Sequence, residues 1–184
     1  MTRLILIRHG ETDWNVEGRY QGQSDVSLND RGRREFASLA ATVAESNPSV
    51  IYSSDLSRAK ESAEIIGRVL GLSVCIDSRL REIHLGSWEG MLFQEIQEIY
   101  SDLLERRKLD PHNVRAPGGE TISEVESRVV ASVKDILNRH PDETVVIVSH
   151  GLPLAILRAR YQGLPIEQVW ELVPKNNTLF FLTL

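Results

Sequence analysis

Two apolar runs restrict the folds open to this chain more than any other feature: Leu4-Ile5-Leu6-Ile7 and Val145-Val146-Ile147-Val148. Neither alternates with polar residues, and both consist of β-branched or leucine side chains, as strands buried on both faces require. Each is followed closely by a histidine and a glycine, His9-Gly10 in the first case and His150-Gly151 in the second. A lone histidine at a strand end is ordinarily a satisfied polar residue. Two of them, at matched ends of two core strands, imply a shared purpose.

Shorter strand-type runs lie at Val50–Tyr52, Ser73–Ile76 and Leu179–Leu182, and helical periodicity fills the gaps between runs. Phe36, Leu39, Ala40 and Val43 follow the i, i+3, i+4, i+7 rule behind a capping-box start at Ser27-Leu28-Asn29-Asp30. Ala59, Ala63, Ile66 and Leu70 repeat the pattern, with Gly71 as a stop. Thr121 and Glu124 predict a boxed helix that buries Val125, Val129, Val133 and Ile136 and ends at His140-Pro141. A further helix is expected after Pro153, another from about Met91 to Lys108, and a surface loop over Leu109–Gly119. Strands alternating with helices predict the α/β class, a three-layer sandwich with a mainly parallel central sheet flanked by helices. With 184 residues and no repeat, low-complexity segment or linker, one domain spanning 1–184 is expected.

Charge excludes some partners. The chain carries 21 Lys+Arg against 26 Asp+Glu, net −5, which argues against nucleic acid or a membrane surface held by bulk positive charge. An anionic ligand must be held by local cations. The single cysteine, Cys75, excludes an internal disulfide and a cysteine-rich metal site and suits a reducing cytoplasm. The N-terminal apolar run is too short for a signal peptide, and no run approaches the ~18 residues of a membrane span, so a soluble cytoplasmic protein is expected.

In an open parallel sheet, ligands bind beyond the carboxyl ends of the strands. If the two core strands are neighbours, both imidazoles emerge at one rim. Arg8 adds a planar fork of donors suited to phosphate oxygens, Asn15 an amide, and Arg58 a second guanidinium in the first turn of a helix. These donors suit an oxyanion, and the Ser57-Arg58 turn is expected to favour a phosphoryl group. His84, His112 and His140 lack such placement and read as ordinary polar residues. The chain has no HExxH, paired Asp-x-Asp or cysteine pair, so no metal site is expected. Cys75 to Arg81 matches the C-x5-R spacing of cysteine-dependent phosphatases. The intervening IDSRL holds no glycine to wrap a phosphate, and the spacing reads as chance.

Five linked blocks carry a resemblance: RHGE at Arg8–Glu11 with Thr12 and Asn15, SSDLSRAKESAE at Ser53–Glu64, LREIHLGSWEG at Leu80–Gly90, PGGET at Pro117–Thr121 and SHG at Ser149–Gly151. In order and extent they resemble the histidine phosphatase superfamily, the phosphoglycerate mutase-like group. The resemblance implies a phosphomonoester hydrolase that forms a phosphohistidine at His9 and needs no metal or organic cofactor. Arg8, Arg58 and His150 would neutralise the phosphoryl oxygens, with Asn15, Gln21, Gly22 and Gly151 completing the binding site, and Glu82 would act as proton donor. Glu11 is expected to orient Arg8 or backbone donors. Short members of the group act on small phosphorylated metabolites such as phosphoserine, α-ribazole phosphate or phosphoglycerate, and a homodimer fits the resemblance.

The alternative is a cofactor-dependent phosphoglycerate mutase, weakened because Leu85 and Phe93 stand where mutases carry a tyrosine and a lysine. Arg106-Arg107-Lys108 is either a solvated helix end or a clamp for a second acidic group. The specificity pocket is expected from Ile83–Lys108 and the PGGET loop, with Trp88, Met91, Leu92 and Phe93 as an apolar wall.

Overall fold

The computed structural model describes residues 1–184, the side chain at position 167 excepted. All five strand-type runs form strands: β1 (Arg3–Arg8), β2 (Val50–Ser53), β3 (Val74–Ile76), β4 (Thr144–Ser149) and β5 (Leu179–Thr183). They form one sheet in the order β3-β2-β4-β1-β5, parallel except for β5, which runs antiparallel to β1. The two uninterrupted runs are β1 and β4, two of the three inner strands. Leu4, Leu6, Val145 and Ile147 bury on one face and Ile5, Ile7, Val146 and Val148 on the other, which is why neither run alternates.

Six helices accompany the sheet: α1 (Asp13–Glu17), α2 (Asp30–Ala44), α3 (Ser57–Leu70), α4 (Phe93–Leu109), α5 (Ile122–Arg139) and α6 (Gly151–Gln162). Phe36, Ala40 and Val43 of α2 join Ala59, Ala63 and Ile66 of α3 against one sheet face. Val125, Val129, Val133 and Ile136 of α5 join Leu154, Ala155 and Ile156 of α6 on the other, giving the three-layer sandwich. Among the described residues, no helix is long and apolar enough to cross a membrane.

Register does the decisive positioning. Arg8 pairs with Ser149, so the chain leaves β1 at His9 and β4 at His150 side by side. From there the two connections diverge, one to α2 on the first face and the other to α6 on the second, opening a crevice above the strand ends.

Three local boundaries differ from the sequence expectation. Asn29 caps α2, its side chain accepting from the Gly32 amide at 2.8 Å, so the start is a single Asx cap and not a box led by Ser27. Helix α6 begins ahead of Pro153, with His150 as its N-cap; a proline in the first turn sacrifices no helical hydrogen bond. The short α1 is set by a reciprocal Thr12–Asn15 box, hidden in the sequence because asparagine takes the position usual for Glu or Gln.

The loop after β1 is wedged against α2. A Cβ on Gly32 would lie 2.4 Å from the Glu11 carbonyl oxygen and 2.7 Å from its amide nitrogen. Alanine ordinarily beats glycine in a helix by about 1 kcal/mol. Here we predict that Gly32→Ala lowers stability by about 1–3 kcal/mol through this backbone contact. Thermal unfolding would read it as a lower Tm, and an unchanged or higher Tm would show that the loop yields.

Candidate active site

Arg8, His9, Asn15, Gln21, Gly22, Arg58, Glu82 and Gly151, drawn from distant parts of the chain, line one cleft of about 440 Å³ at the carboxyl ends of β1 and β4. His150 lies behind His9, its ring centroid 5.1 Å away, and is fully buried.

His9 is 2% exposed, and its Nδ1 lies 2.7 Å from the Gly10 carbonyl oxygen. A carbonyl only accepts, so Nδ1 carries the proton and Nε2 keeps a free lone pair. The Gly10 amide donates to Ser62 Oγ at 3.0 Å, and that hydroxyl donates to the Arg58 carbonyl at 2.7 Å, tying the loop to α3. From the far end of the chain, Asn176 Nδ2 donates to the carbonyls of His9 at 3.0 Å and Gly10 at 3.2 Å and to Asn15 Oδ1 at 3.3 Å. Asn15 Oδ1 also accepts from Thr12 N, at 3.1 Å. The oxygen of Asn15 is thus committed, and its NH2 is the end left for a ligand.

The two arginines spend their donors on neutral carbonyls. Arg8 Nη1 reaches Pro174 O at 2.6 Å, while Arg58 Nη1 and Nη2 reach Ser24 O at 2.8 Å and Gly22 O at 2.7 Å. The buried Nε atoms of both lack a partner among the described residues. Burial lowers the Arg8 pKa, and it brings Arg58 down to about 10 against the opposing pull of Glu82 and Asp25. Burial also drives His9 well below the usual histidine value, reinforced by the charges of Arg58 and Arg8. His150 is lowered likewise, by burial first and then by Arg58, His9 and Arg8, and neither of its ring nitrogens has a partner among the described residues.

Glu82 sits at the N-terminus of α6. Its Oε1 accepts from the Ile83 amide at 2.9 Å and its Oε2 from the Leu152 amide at 3.4 Å. Gly151 makes room for this: a Cβ there would lie 2.9 Å from Val173 Cγ1, 3.5 Å from Glu82 Oε2 and 3.6 Å from Arg8 Cζ. The cleft thus combines a neutral imidazole with one free nitrogen, two guanidinium groups that form no ion pair among the described residues, and a carboxyl group. Such a set suits nucleophilic attack on an anion that the arginines attract.

Several expectations are corrected. The Ser57 amide and hydroxyl each donate to the Asp25 carboxylate at 2.7 Å, so that helix start already holds an anion, whereas the first turn of α6 faces the cleft at Gly151 and Leu152. Glu11 accepts from Asn29 Nδ2 at 3.0 Å and approaches Arg31 at 3.5 Å, serving α2 and leaving Arg8 alone. Trp88 belongs to the core and Phe93 is 49% exposed; the apolar wall is instead Trp14, Tyr20, Leu85, Leu152, Trp170 and Val173. Of the basic triplet, Arg107 alone lines the cleft, while Lys108 pairs with Glu105 on the surface at 2.6 Å. Arg107 is 7% exposed, with its guanidinium carbon 5.2 Å from the Trp88 ring and 4.9 Å from the Trp170 ring. Burial lowers its pKa. Cys75 is exposed, and Arg81 is held by Asp55 at 2.7 Å, so the C-x5-R spacing builds no anion cradle.

Sequence reading missed the segment before β5, from which Trp170 and Val173 line the cleft and Pro174 and Asn176 hold Arg8 and His9. Its one sequence signal is the asparagine pair Asn176-Asn177 abutting an apolar strand. The segment reaches the site because β5 is antiparallel to β1, with Leu179 opposite Ile7, which brings the start of one strand to the end of the other.

A family model described as the histidine phosphatase superfamily (branch 1) matches residues 4–184. Phosphoserine phosphatase 1 of Hydrogenobacter thermophilus is 37% identical over 171 residues, 93% of this chain and 81% of that protein. A glucosyl-3-phosphoglycerate phosphatase of Mycolicibacterium vanbaalenii is 36% identical over 176 residues, 90% of this chain and 77% of that protein. Among solved structures, a mycobacterial glucosyl-3-phosphoglycerate phosphatase complexed with VO3 superimposes with a TM-score of 0.89 at 34% identity, covering 98% of this chain and 90% of that one.

The depressed histidines make a pH prediction with a definite sign. A group whose folded pKa is lowered contributes stability that is present above its unfolded value, near 6.5, and is lost as pH falls toward the folded value. Nitrogen NMR at about pH 6 should find His9 uncharged with its proton on Nδ1, and Tm should fall as pH drops from about 7 to 5. An imidazolium signal for His9 at that pH would contradict the geometry.

Proposed function

Because the chain belongs to the histidine phosphatase superfamily, we propose that it hydrolyses phosphomonoesters of small metabolites through a phosphohistidine at His9, without metal or organic cofactor. The observation that carries this reading is the His9 imidazole: Nδ1 is committed to the Gly10 carbonyl and Nε2 is left free beside two arginines that form no ion pair among the described residues. In the first step Nε2 attacks phosphorus, the P–N bond forms and the P–O ester bond breaks. Glu82 gives its proton to the departing oxygen. In the second step Glu82 takes a proton from water, the resulting hydroxide attacks phosphorus, and phosphate leaves as the P–N bond breaks and His9 returns to its neutral form.

Arg8 and Arg58 balance the charge of the phosphoryl oxygens, and the Asn15 NH2 and a ring N–H of His150 add hydrogen bonds. These groups are already desolvated, so little reorganisation accompanies the charge movement of the transition state.

Arg107 narrows the substrate class. A buried guanidinium stacked between two indoles, with no carboxylate against it among the described residues, favours a substrate with a second anionic group beyond the phosphoryl group. The relatives named for phosphoserine and for glucosyl-3-phosphoglycerate are named for esters that carry a carboxylate. Phosphoserine- or phosphoglycerate-like esters therefore lead over esters whose phosphoryl group is the sole anionic group, such as α-ribazole phosphate. A mutase has less support, since Leu85 brings an apolar side chain to the cleft and Phe93 lies outside it. The one cysteine, reduced and exposed on β3, agrees with work in the cytoplasm.

Phosphate release in EDTA tests the reaction. Wild type should keep its activity, and His9→Ala should lose it by a factor on the order of 10⁴ or more; turnover that survives the substitution would sink the mechanism. Arg107→Ala tests the substrate class. KM for the preferred carboxylate ester should rise roughly 10–100-fold, as expected for a lost charged hydrogen bond, with p-nitrophenyl phosphate nearly unaffected. An equal loss for both substrates would place Arg107 in the fold alone.

A further inference from the structure

Glu82 stands in Arg81–Leu85, a stretch without helix or strand, just after a 3-10 turn at Ser78–Leu80. A proton donor in such a stretch needs an anchor if its distance to the leaving oxygen is to hold to fractions of an ångström. The anchor lies on α5. Arg128 has five N–H donors, and all five are used on this stretch and its support. Nη1 donates to the carbonyls of Arg79 at 2.8 Å and Arg81 at 2.6 Å. Nη2 donates to the Glu82 carbonyl at 2.8 Å and to Glu120 Oε2 at 2.9 Å, and Nε donates to Glu120 Oε1 at 2.9 Å.

Glu120 extends the clamp: its Oε2 accepts from the His84 amide at 2.8 Å and from Gln23 Nε2 at 3.4 Å, and Gln23 Nε2 also donates to the Glu82 carbonyl at 3.1 Å. The pair is largely covered, with side chains 18% and 23% exposed. Burial works to raise the Glu120 carboxyl, but the bonds from Arg128 and the His84 amide hold it below the usual range.

We propose that Arg128, braced by Glu120, is the positioning residue that fixes the proton-donating carboxyl of Glu82 relative to the leaving oxygen. Arg128 does not line the cleft and touches Glu82 only at its backbone carbonyl. A planar fork is required, because one ammonium cannot reach three carbonyls and a carboxylate at once. The proposal rests on the reading of Glu82 as general acid.

The test is kcat/KM, which reports the phosphorylation step, for a series of aryl and alkyl phosphates of rising leaving-group pKa, measured with wild type, Arg128→Lys, Glu120→Gln and Glu82→Gln. Glu82→Gln should lose on the order of 10²-fold or more with alkyl esters and far less with nitrophenyl esters. Arg128→Lys should show the same tilt at about 10-fold, and Glu120→Gln a smaller tilt of the same sign. In the double variant Glu82→Gln/Arg128→Lys the slope should be no steeper than in Glu82→Gln alone. A loss by Arg128→Lys that is uniform across the series, or absent, beside a tilted Glu82→Gln would overturn the proposal. A flat Glu82→Gln would remove the general-acid reading itself, and the proposal with it. Should Arg128→Lys fail to fold, Glu120→Gln decides: a tilt supports the clamp and a flat series refutes it.

Discussion

The site is organised around two buried guanidinium groups that, among the described residues, have no carboxylate in ion-pair contact. Taking Arg8 and Arg58 out of water costs several kcal/mol apiece in an unpaired state, and a carboxylate partner would have been the simplest relief. The fold offers neutral carbonyls in its place, those of Pro174, Ser24 and Gly22. Three of their N–H groups are thereby satisfied while both Nε atoms stay without a partner among the described residues, and the charge is offset only from a distance, by Glu82 and, at Arg58, Asp25. Two consequences follow: an incoming anionic group meets positive charge, and the arginines reinforce the burial that already holds His9 and His150 well below the usual histidine value.

Holding that charge in place falls to backbone and carboxylate contacts outside the cluster. Asp25 caps α3 ahead of Arg58, and Glu89 accepts from Gln23 N at 2.9 Å, Leu85 N at 3.0 Å and Ser24 Oγ at 2.7 Å. Glu120 and Arg128 brace the stretch around Glu82, and Asn176 bridges the His9 loop and Asn15. These acidic residues thus work on irregular segments behind the site, where they set shape, and Asp25 and Glu89 offset the charge of Arg58 only from a distance.

Strand runs were legible because burial on both faces leaves a continuous apolar signature in neighbouring residues, and the helices because capping and 3.6-residue periodicity are local. His9 and Glu82 could be recognised with the motifs around them. Arg107 could not be separated from Arg106 and Lys108, since only the packing of Trp88 and Trp170 distinguishes a stacked, buried guanidinium from a solvated one. The Ser57 turn misled for a related reason. A free helix start and a capped one have the same local sequence, and the cap comes from Asp25, 32 residues away.

The sequence by itself determined the α/β layering, the five strands and the identity of the groups at the ends of β1 and β4, because those depend on short-range patterning and on residue chemistry. Tertiary structure alone decided which of those groups would have partners. Asn176 reaches His9 across 167 residues only because β5 pairs antiparallel with β1, and Arg128 reaches Glu82 only because α5 packs beside the irregular stretch that follows β3. Hydrogen bonds between residues so far apart leave no periodic trace in a chain, since each depends on the register and packing of elements that must first form.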